Sequence, residues 1–336
     1  MKNCFGGISI ITYTVLIILS INACELHTYN WSEWNDKPET IIDCIAIKEQ
    51  ERYCSCGEKE TNIVEDSILG PHIYSENICT ACCSIQMTEI PVGTISWGNA
   101  IMTISKPFKM AKYEVTQELY QIVMGNNPSY FNSNPTSGEL QNKRPVEWIS
   151  WYDTIEFCNK LSEREGFTLY YNINKTTNDQ NNINEYDKTK WLITTNEMAN
   201  GYRLPTEVQW EHACRADSTT TYYFGNDQNE LLDHAWYIVN SNNMTHQVGK
   251  KLPNSYGLYD MYGNVWEYCW DWYINWTELV LLNSQSDYKG AVSGEYRVIR
   301  GSHYYNNHQW TDSSVRTSTS PFLTGETGIG FRVIRP

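Results

Sequence analysis

The sequence predicts an α+β fold of short twisted strands, a few helices and much irregular chain. Three observations carry this. Helical stretches are few, and each is punctuated by a capping residue. Strand-like alternation comes only in short runs. After Ala216 the chain becomes irregular, with Gly, Asn, Asp and Tyr recurring to the end. A supply of 13 Trp and 24 Tyr can fill a core even where regular structure is modest.

The elements follow in chain order. Residues 1–23 read as an export signal: Lys2 gives a thin positive start and residues 8–21 are apolar, a run too short for a comfortable membrane span. Cys24 follows the small Ala23, as in a bacterial lipobox where the cysteine becomes the lipidated first residue, although Asn22 departs from the usual pattern. An ordinary cleaved signal and an uncleaved anchor are the other readings. Each places the protein outside the cytosol, and the lipobox reading ties it to the membrane of the cell envelope. Residues 24–86 form a Cys-rich tether or small disulfide module. Cys44, Cys54, Cys56, Cys79, Cys82 and Cys83 read as three disulfides in an exported segment, with a zinc site on Cys54, Cys56, Cys79 and Cys82 as the alternative.

The large domain spans residues 87–336. Residues 87–91 alternate as an opening strand, and residues 108–115 form a second. Thr116 caps a helix that runs to Met124 and stops at Gly125. Residues 126–141 are a loop. Ser150 and Asp153 form a capping box for a helix with Ile155, Cys158 and Leu161 on one face. Residues 172–190 are rich in Asn, Thr and Asp and read as a surface insertion. Thr206 and Gln209 cap a third helix, which places Cys214 in the core. Residues 240–245 read as a loop. Arg297-Val-Ile-Arg300 and Arg332-Val-Ile-Arg335 echo each other and are candidate core strands that could be neighbours, with residues 301–331 as a long excursion between them.

The densest stretch is Gly257-Leu-Tyr-Asp-Met-Tyr-Gly-Asn-Val-Trp-Glu-Tyr-Cys-Trp-Asp-Trp272. Its rings must pack, so Asn264 and Glu267 lie between buried aromatics and need partners. A backbone turn held by hydrogen bonds, an arginine, or a hard cation such as calcium, which takes amide, carboxylate and carbonyl oxygens, would each serve. This stretch resembles the signature of the formylglycine-generating enzyme (sulfatase-modifying factor) family, whose domain has a C-type-lectin-like fold. Five further pieces fall in the family order: Lys112-Tyr-Glu-Val-Thr116, Pro145-Val-Glu-Trp-Ile-Ser-Trp-Tyr-Asp153, Gly201-Tyr-Arg-Leu-Pro-Thr-Glu-Val-Gln-Trp-Glu211, Arg297-Val-Ile-Arg-Gly301 and Gly330-Phe-Arg332.

The resemblance implies oxidation of a sulfatase cysteine to formylglycine, with oxygen and a copper ion held by two cysteines. Those positions fall on Asn306 and Thr311, and no cysteine follows Cys269. Soft thiolates are what copper(I) selects, so copper is not expected. His303 and His308 give only a weak metal-ligand pattern. What fills the loop is Ser302-His-Tyr-Tyr-Asn-Asn-His-Gln-Trp310, aromatics mixed with small polar side chains as in recognition loops. Residues 302–308 and 311–314 are each Asn or one adenine change from an Asn codon, which suggests a diversified loop. The candidate binding surface is His303, Tyr304, Tyr305, Asn306, His308 and Trp310, with Arg316 as either an anion contact or a structural ion pair.

Two functions remain open. One is a non-catalytic exported protein that binds a protein or small-molecule ligand at the cell envelope. The other is a formylglycine-generating oxidase. A net charge of −14 argues against a nucleic-acid partner.

Overall fold

The computed structural model describes residues 85–336 throughout and, before them, only the backbone of short strands between residues 35 and 79. The chain divides into two compact units, Met1–Ser84 and Ile85–Pro336. In the first, β3 (Ile45–Tyr53) pairs antiparallel with β1 (Asn35–Asp36), β2 (Thr40–Ile42) and β4 (Lys59–Glu65), and β5 (Tyr74–Ser75) pairs with β6 (Ile78–Cys79). Cys24 and the expected disulfide or zinc ligands lie outside the residues whose side chains are described.

In the second unit the opening strand β7 (Met87–Ile90) is followed by the hairpin β8 (Gly93–Trp97) and β9 (Ala100–Ile104), then β10 (Phe108–Ala111). Three helices have the expected caps. Thr116 accepts from Leu119 N at the start of α1 (Gln117–Met124), and Gly125 closes it at φ 86°. Reciprocal capping boxes open α2 (Trp151–Arg164) at Ser150 and Asp153, and α3 (Glu207–Arg215) at Thr206 and Gln209. Two short helices, α4 (Leu231–His234) and α5 (Trp276–Leu279), interrupt the later chain.

Residues 172–190, expected as a surface insertion, carry regular structure and a buried polar knot. β11 (Tyr171–Asn178) and β12 (Trp191–Thr195) form an antiparallel hairpin, and its tip is partly buried. The burial is polar: Asp187 accepts from the Tyr152 hydroxyl at 2.7 Å and from Asn182 Nδ2 at 2.6 Å. Hydrogen-bonded amides can be buried, which low hydrophobicity alone hid.

The end of the signature stretch becomes β13 (Trp266–Trp272), an inner strand of the main sheet. It pairs antiparallel with β15 (Arg297–Arg300) and parallel with β17 (Ile329–Gly330), and β15 pairs with β16 (Arg316–Thr319). β14 (Gln285–Ser286) adds to β9. The two Arg-Val-Ile-Arg echoes are not neighbours: β18 (Ile334–Arg335) pairs with β10 in another sheet. Alternation along β13 and β15 serves two cores. Cys269 and Val298 join the cluster that holds Trp210, Met261 and Tyr262. Tyr268 and Ile299 join the one that holds Trp151, Phe157 and Phe331.

Charged side chains cross these cores in pairs. Arg332 is fully buried and grips Glu267 through Nε (2.6 Å) and Nη2 (2.5 Å), while Trp210 Nε1 donates to Glu267 at 2.8 Å. Arg300 bridges Glu207 and Glu211 at 2.7 and 2.8 Å.

Candidate functional site

The root of the 302–311 loop is fixed by backbone bonds around Gly263 and Asn264. Gly263 N donates to Gly301 O at 2.6 Å, Asn264 N to Trp236 O at 2.8 Å, and Tyr304 N to Asn264 O at 3.0 Å. Asn264 also accepts from His246 N and donates to Glu114 Oε2 at 2.7 Å. Thus Asn264 acts as a loop-holding amide. Arg332 lies on both oxygens of Glu267, so an arginine is the partner of this buried carboxylate. Among the described residues no group of three His, Cys, Asp or Glu side chains is placed to hold a metal ion.

The expected surface residues separate into outward and inward sets. Tyr305 (56 %) and Trp310 (45 %) are exposed, as are Asn307 and His308. Asn306 is half-buried, and its carbonyl accepts from Ile238 N at 3.0 Å. Tyr304 is a correction. It is 7 % exposed, its hydroxyl meets Thr327 Oγ1 at 2.8 Å, and its carbonyl accepts from Ser241 Oγ at 2.7 Å. Of the two readings of Arg316 the structure takes the second: its guanidinium lies on Glu207 at 2.7 and 2.6 Å with an 8 % exposed side chain, a structural ion pair.

Buried Tyr304 is the hinge of a run of rings. Trp148 meets Tyr130 (centroids 5.6 Å), Tyr130 meets Phe131 (5.1 Å), and Phe131 meets Tyr304 edge-on (5.2 Å). Tyr304 continues to Tyr305 at 6.3 Å and to His303 at 5.2 Å, and His303 reaches Trp266 at 6.2 Å. Tyr130 (57 %) and Trp148 (39 %) are exposed. Edge and offset contacts of this kind add to the area they bury and stiffen the platform. Trp148 sits at φ 68°, a left-handed conformation that a bulky residue seldom adopts. Glu147, buried beside it, accepts from Phe131 N at 2.9 Å and leaves Oε2 unpartnered; burial pushes its carboxyl up to about 7. Tyr130, Phe131 and Trp148 were missed from the sequence, where two adjacent rings in an Asn- and Ser-rich loop were the available signal.

Beside the rings lies a cleft of about 310 Å³ walled by Trp266, His303 and residues 325–328. His303 turns into this wall: a Cβ placed on Gly328 would lie 2.0 Å from His303 Cδ2.

The described thiols lie elsewhere. Cys158 on α2, Cys214 on α3 and Cys269 on β13 are all fully buried and free. Burial raises all three, Cys214 to about 12, which keeps them protonated.

A family model described as the sulfatase-modifying factor enzyme 1-like domain matches residues 83–336. The chain belongs to this family. Among similar proteins, a Paenibacillus barcinonensis protein named chaperone protein LppX is 41 % identical over 195 residues, covering 53 % of this chain and 66 % of its own. The formylglycine-generating enzyme of Thermomonospora curvata is 30 % identical over 137 residues, 36 % of this chain and 45 % of that one. The chain thus spans less than two thirds of the length of these curated relatives. Among solved structures, Treponema denticola variable protein 1 superposes with a TM-score of 0.67 at 36 % identity, covering 75 % of this chain and 95 % of that one. PvdO from Pseudomonas aeruginosa, at 22 % identity and TM-score 0.55 over 75 % and 95 % of the two chains, shows the shared fold alone.

Proposed function

We propose that this chain is an exported, lipid-anchored recognition protein whose sulfatase-modifying-factor domain holds a protein partner at the cell envelope and carries out no oxidation. The observation that carries the reading is the continuous run of rings from Trp148 through Tyr304 to Tyr305, beside a loop with Asn306 and Thr311 where the oxidases of the family place their copper thiolates. Aromatic side chains give large contact area at low entropic cost, and Asn, Ser and His beside them adapt their hydrogen bonds. A relative named a chaperone agrees with a protein as the bound species.

Export and anchoring rest on residues 1–24 as read from the sequence. No helix among the described residues is long and apolar enough to cross a membrane. The likeness to a structure named a variable protein supports a loop open to change, carried here by the outward positions Tyr305, Asn307, His308 and Ser314. Its inward positions are tied to the core; Ser313 bonds the Tyr262 hydroxyl at 2.5 Å.

A photo-crosslinking amino acid tests the face. Placed at Tyr305 in the full chain in its native cells, it is expected to yield one discrete adduct with an envelope protein. The same probe at Tyr186, 79 % exposed on the β11–β12 hairpin tip, is expected to yield none. Adducts at Tyr186 alone, or identical patterns from both sites, would move the binding face off the ring platform.

A further inference from the structure

A fully buried acid ties the ring platform together. Glu147 lies between the exposed rings of Trp148, its neighbour in the chain, and Tyr130, in the turn at residues 129–131. It holds that turn twice: its N donates to Ser129 Oγ at 3.3 Å, and its Oε1 accepts from Phe131 N at 2.9 Å. Phe131 is the ring that meets Tyr304 edge-on. Glu147 Oε2 accepts no hydrogen bond. Arg144, the cation that acts on it, lies over the Phe131 ring and directs Nε and Nη1 to Thr245, Ser133 and Gln141, so the two do not pair. The other titratable groups around it are Tyr130 in the turn, His303 and Tyr304 in the loop after β15, and Glu326 beside Gly325, which packs on Trp148. Burial holds His303 down to about 4 and raises Tyr304, so neither changes charge near neutrality.

We infer that Glu147 is a positioning residue for the ring platform and acts as a proton-operated latch: the neutral acid holds the 129–131 turn and Trp148 against Tyr304, and loss of its proton lets them part. A carboxylate with an oxygen that finds no donor is costly in a dry site. Water is nearest at the exposed rings of Tyr130 and Trp148, and Trp148, held at φ 68°, has backbone strain to release as that edge opens. Burial raises the carboxyl from 4.5 to about 7, more than Arg144 and the N–H groups of Phe131 and Tyr130 lower it. The folded chain therefore favours the neutral form. Its contribution is complete below about pH 4.5 and is lost as the pH rises through about 7. The consequence for binding rests on the recognition reading above: the partner is held in a weakly acidic envelope and released as the pH rises.

The latch is tested without the partner. In full-length protein labelled with fluorotryptophan, the fluorine signal of Trp148, assigned with Trp148→Phe, is followed from about pH 5.5 to about pH 8.5. One step centred near pH 7 is expected. Glu147→Gln, which keeps the shape and cannot titrate, is expected to flatten it. Glu147→Met is a second variant without the acid, for use where the amide disturbs the turn. A flat native signal overturns the latch with no variant needed, and so does the same step persisting in either variant. The binding arm repeats the crosslinking at Tyr305. The neutral fraction of an acid centred near 7 falls about tenfold between about pH 6 and about pH 8, and the adduct is expected to fall with it, but not in Glu147→Gln. A native adduct that does not change with pH overturns the control of binding. A Trp148 step with no adduct at any pH would instead leave the latch and sink the recognition reading.

Discussion

Replacing Arg332 by alanine is expected to cost roughly 3–5 kcal/mol, the loss seen when one partner of a buried ion pair is removed. Both oxygens of Glu267 lie on this guanidinium, and Arg332 also donates to the carbonyls of Ala111, Lys112 and Tyr259. Asp260 and Glu114 stand close enough that Arg332 draws their carboxyls down against the burial that raises them. Without it, three buried acids would face one another with no nearby guanidinium. A native domain holds only about 5–15 kcal/mol in total, so this loss is a large share. Denaturant unfolding should read the cost directly, with a fall in midpoint temperature on the order of 10 °C for a domain of this size. A change below about 1 kcal/mol would mean that water already reaches the pair, as at an exposed salt bridge.

Gly263→Ala is expected to be comparably damaging, for a different reason. Gly263 sits at φ 82°, and a Cβ there would lie 2.0 Å from Trp236 O and 2.7 Å from its carbonyl carbon. Backbone cannot step aside as a flexible side chain can, so the strand end itself must move. That end carries the Gly263–Gly301 and Asn264–Trp236 bonds from which the recognition loop starts. The expected result is a loss of roughly 2–4 kcal/mol, combining left-handed strain with a displaced hydrogen-bonded backbone. Hydrogen exchange should locate the loosening at residues 236–246 and 301–306. Gly125→Ala serves as the control: φ is 86° there, but nothing lies within 4 Å of the added carbon. Equal losses in the two variants would show that only the dihedral matters and that the close approach to Trp236 does not.

The parts of this fold that were legible in the sequence are those set by local chemistry. Thr116, Ser150 and Thr206 fix three helix starts because each cap is satisfied within three residues of itself. Cys158 and Cys214 followed as core positions because helical spacing carries their neighbours inward. What stayed hidden depends on partners distant in the chain. Arg316 reads equally as a binding arginine or an ion-pair member until Glu207, 109 residues away, is found against it. Tyr304 reads as a surface ring until Phe131 and Thr327 close over it. The β11–β12 hairpin was masked by the polarity of its own tip, whose amides and Asp187 are buried through mutual hydrogen bonds. In the site, the loop after Arg300 was visible as composition, whereas the contribution of Tyr130 and Trp148 needed the fold to bring residues 130, 148 and 304 together.

The central claim is that this domain keeps the sulfatase-modifying-factor fold and uses it for recognition without its oxidative chemistry. Copper(I) titration of the purified full-length protein under a competing chelator tests this most directly, with the same sample assayed for oxygen-dependent aldehyde formation on a cysteine-containing sulfatase peptide. The account predicts no stoichiometric tight copper in the domain that carries Cys158, Cys214 and Cys269, and no aldehyde. Tight one-to-one copper together with aldehyde would contradict it, and would require two of those buried thiols to open to solvent and substrate.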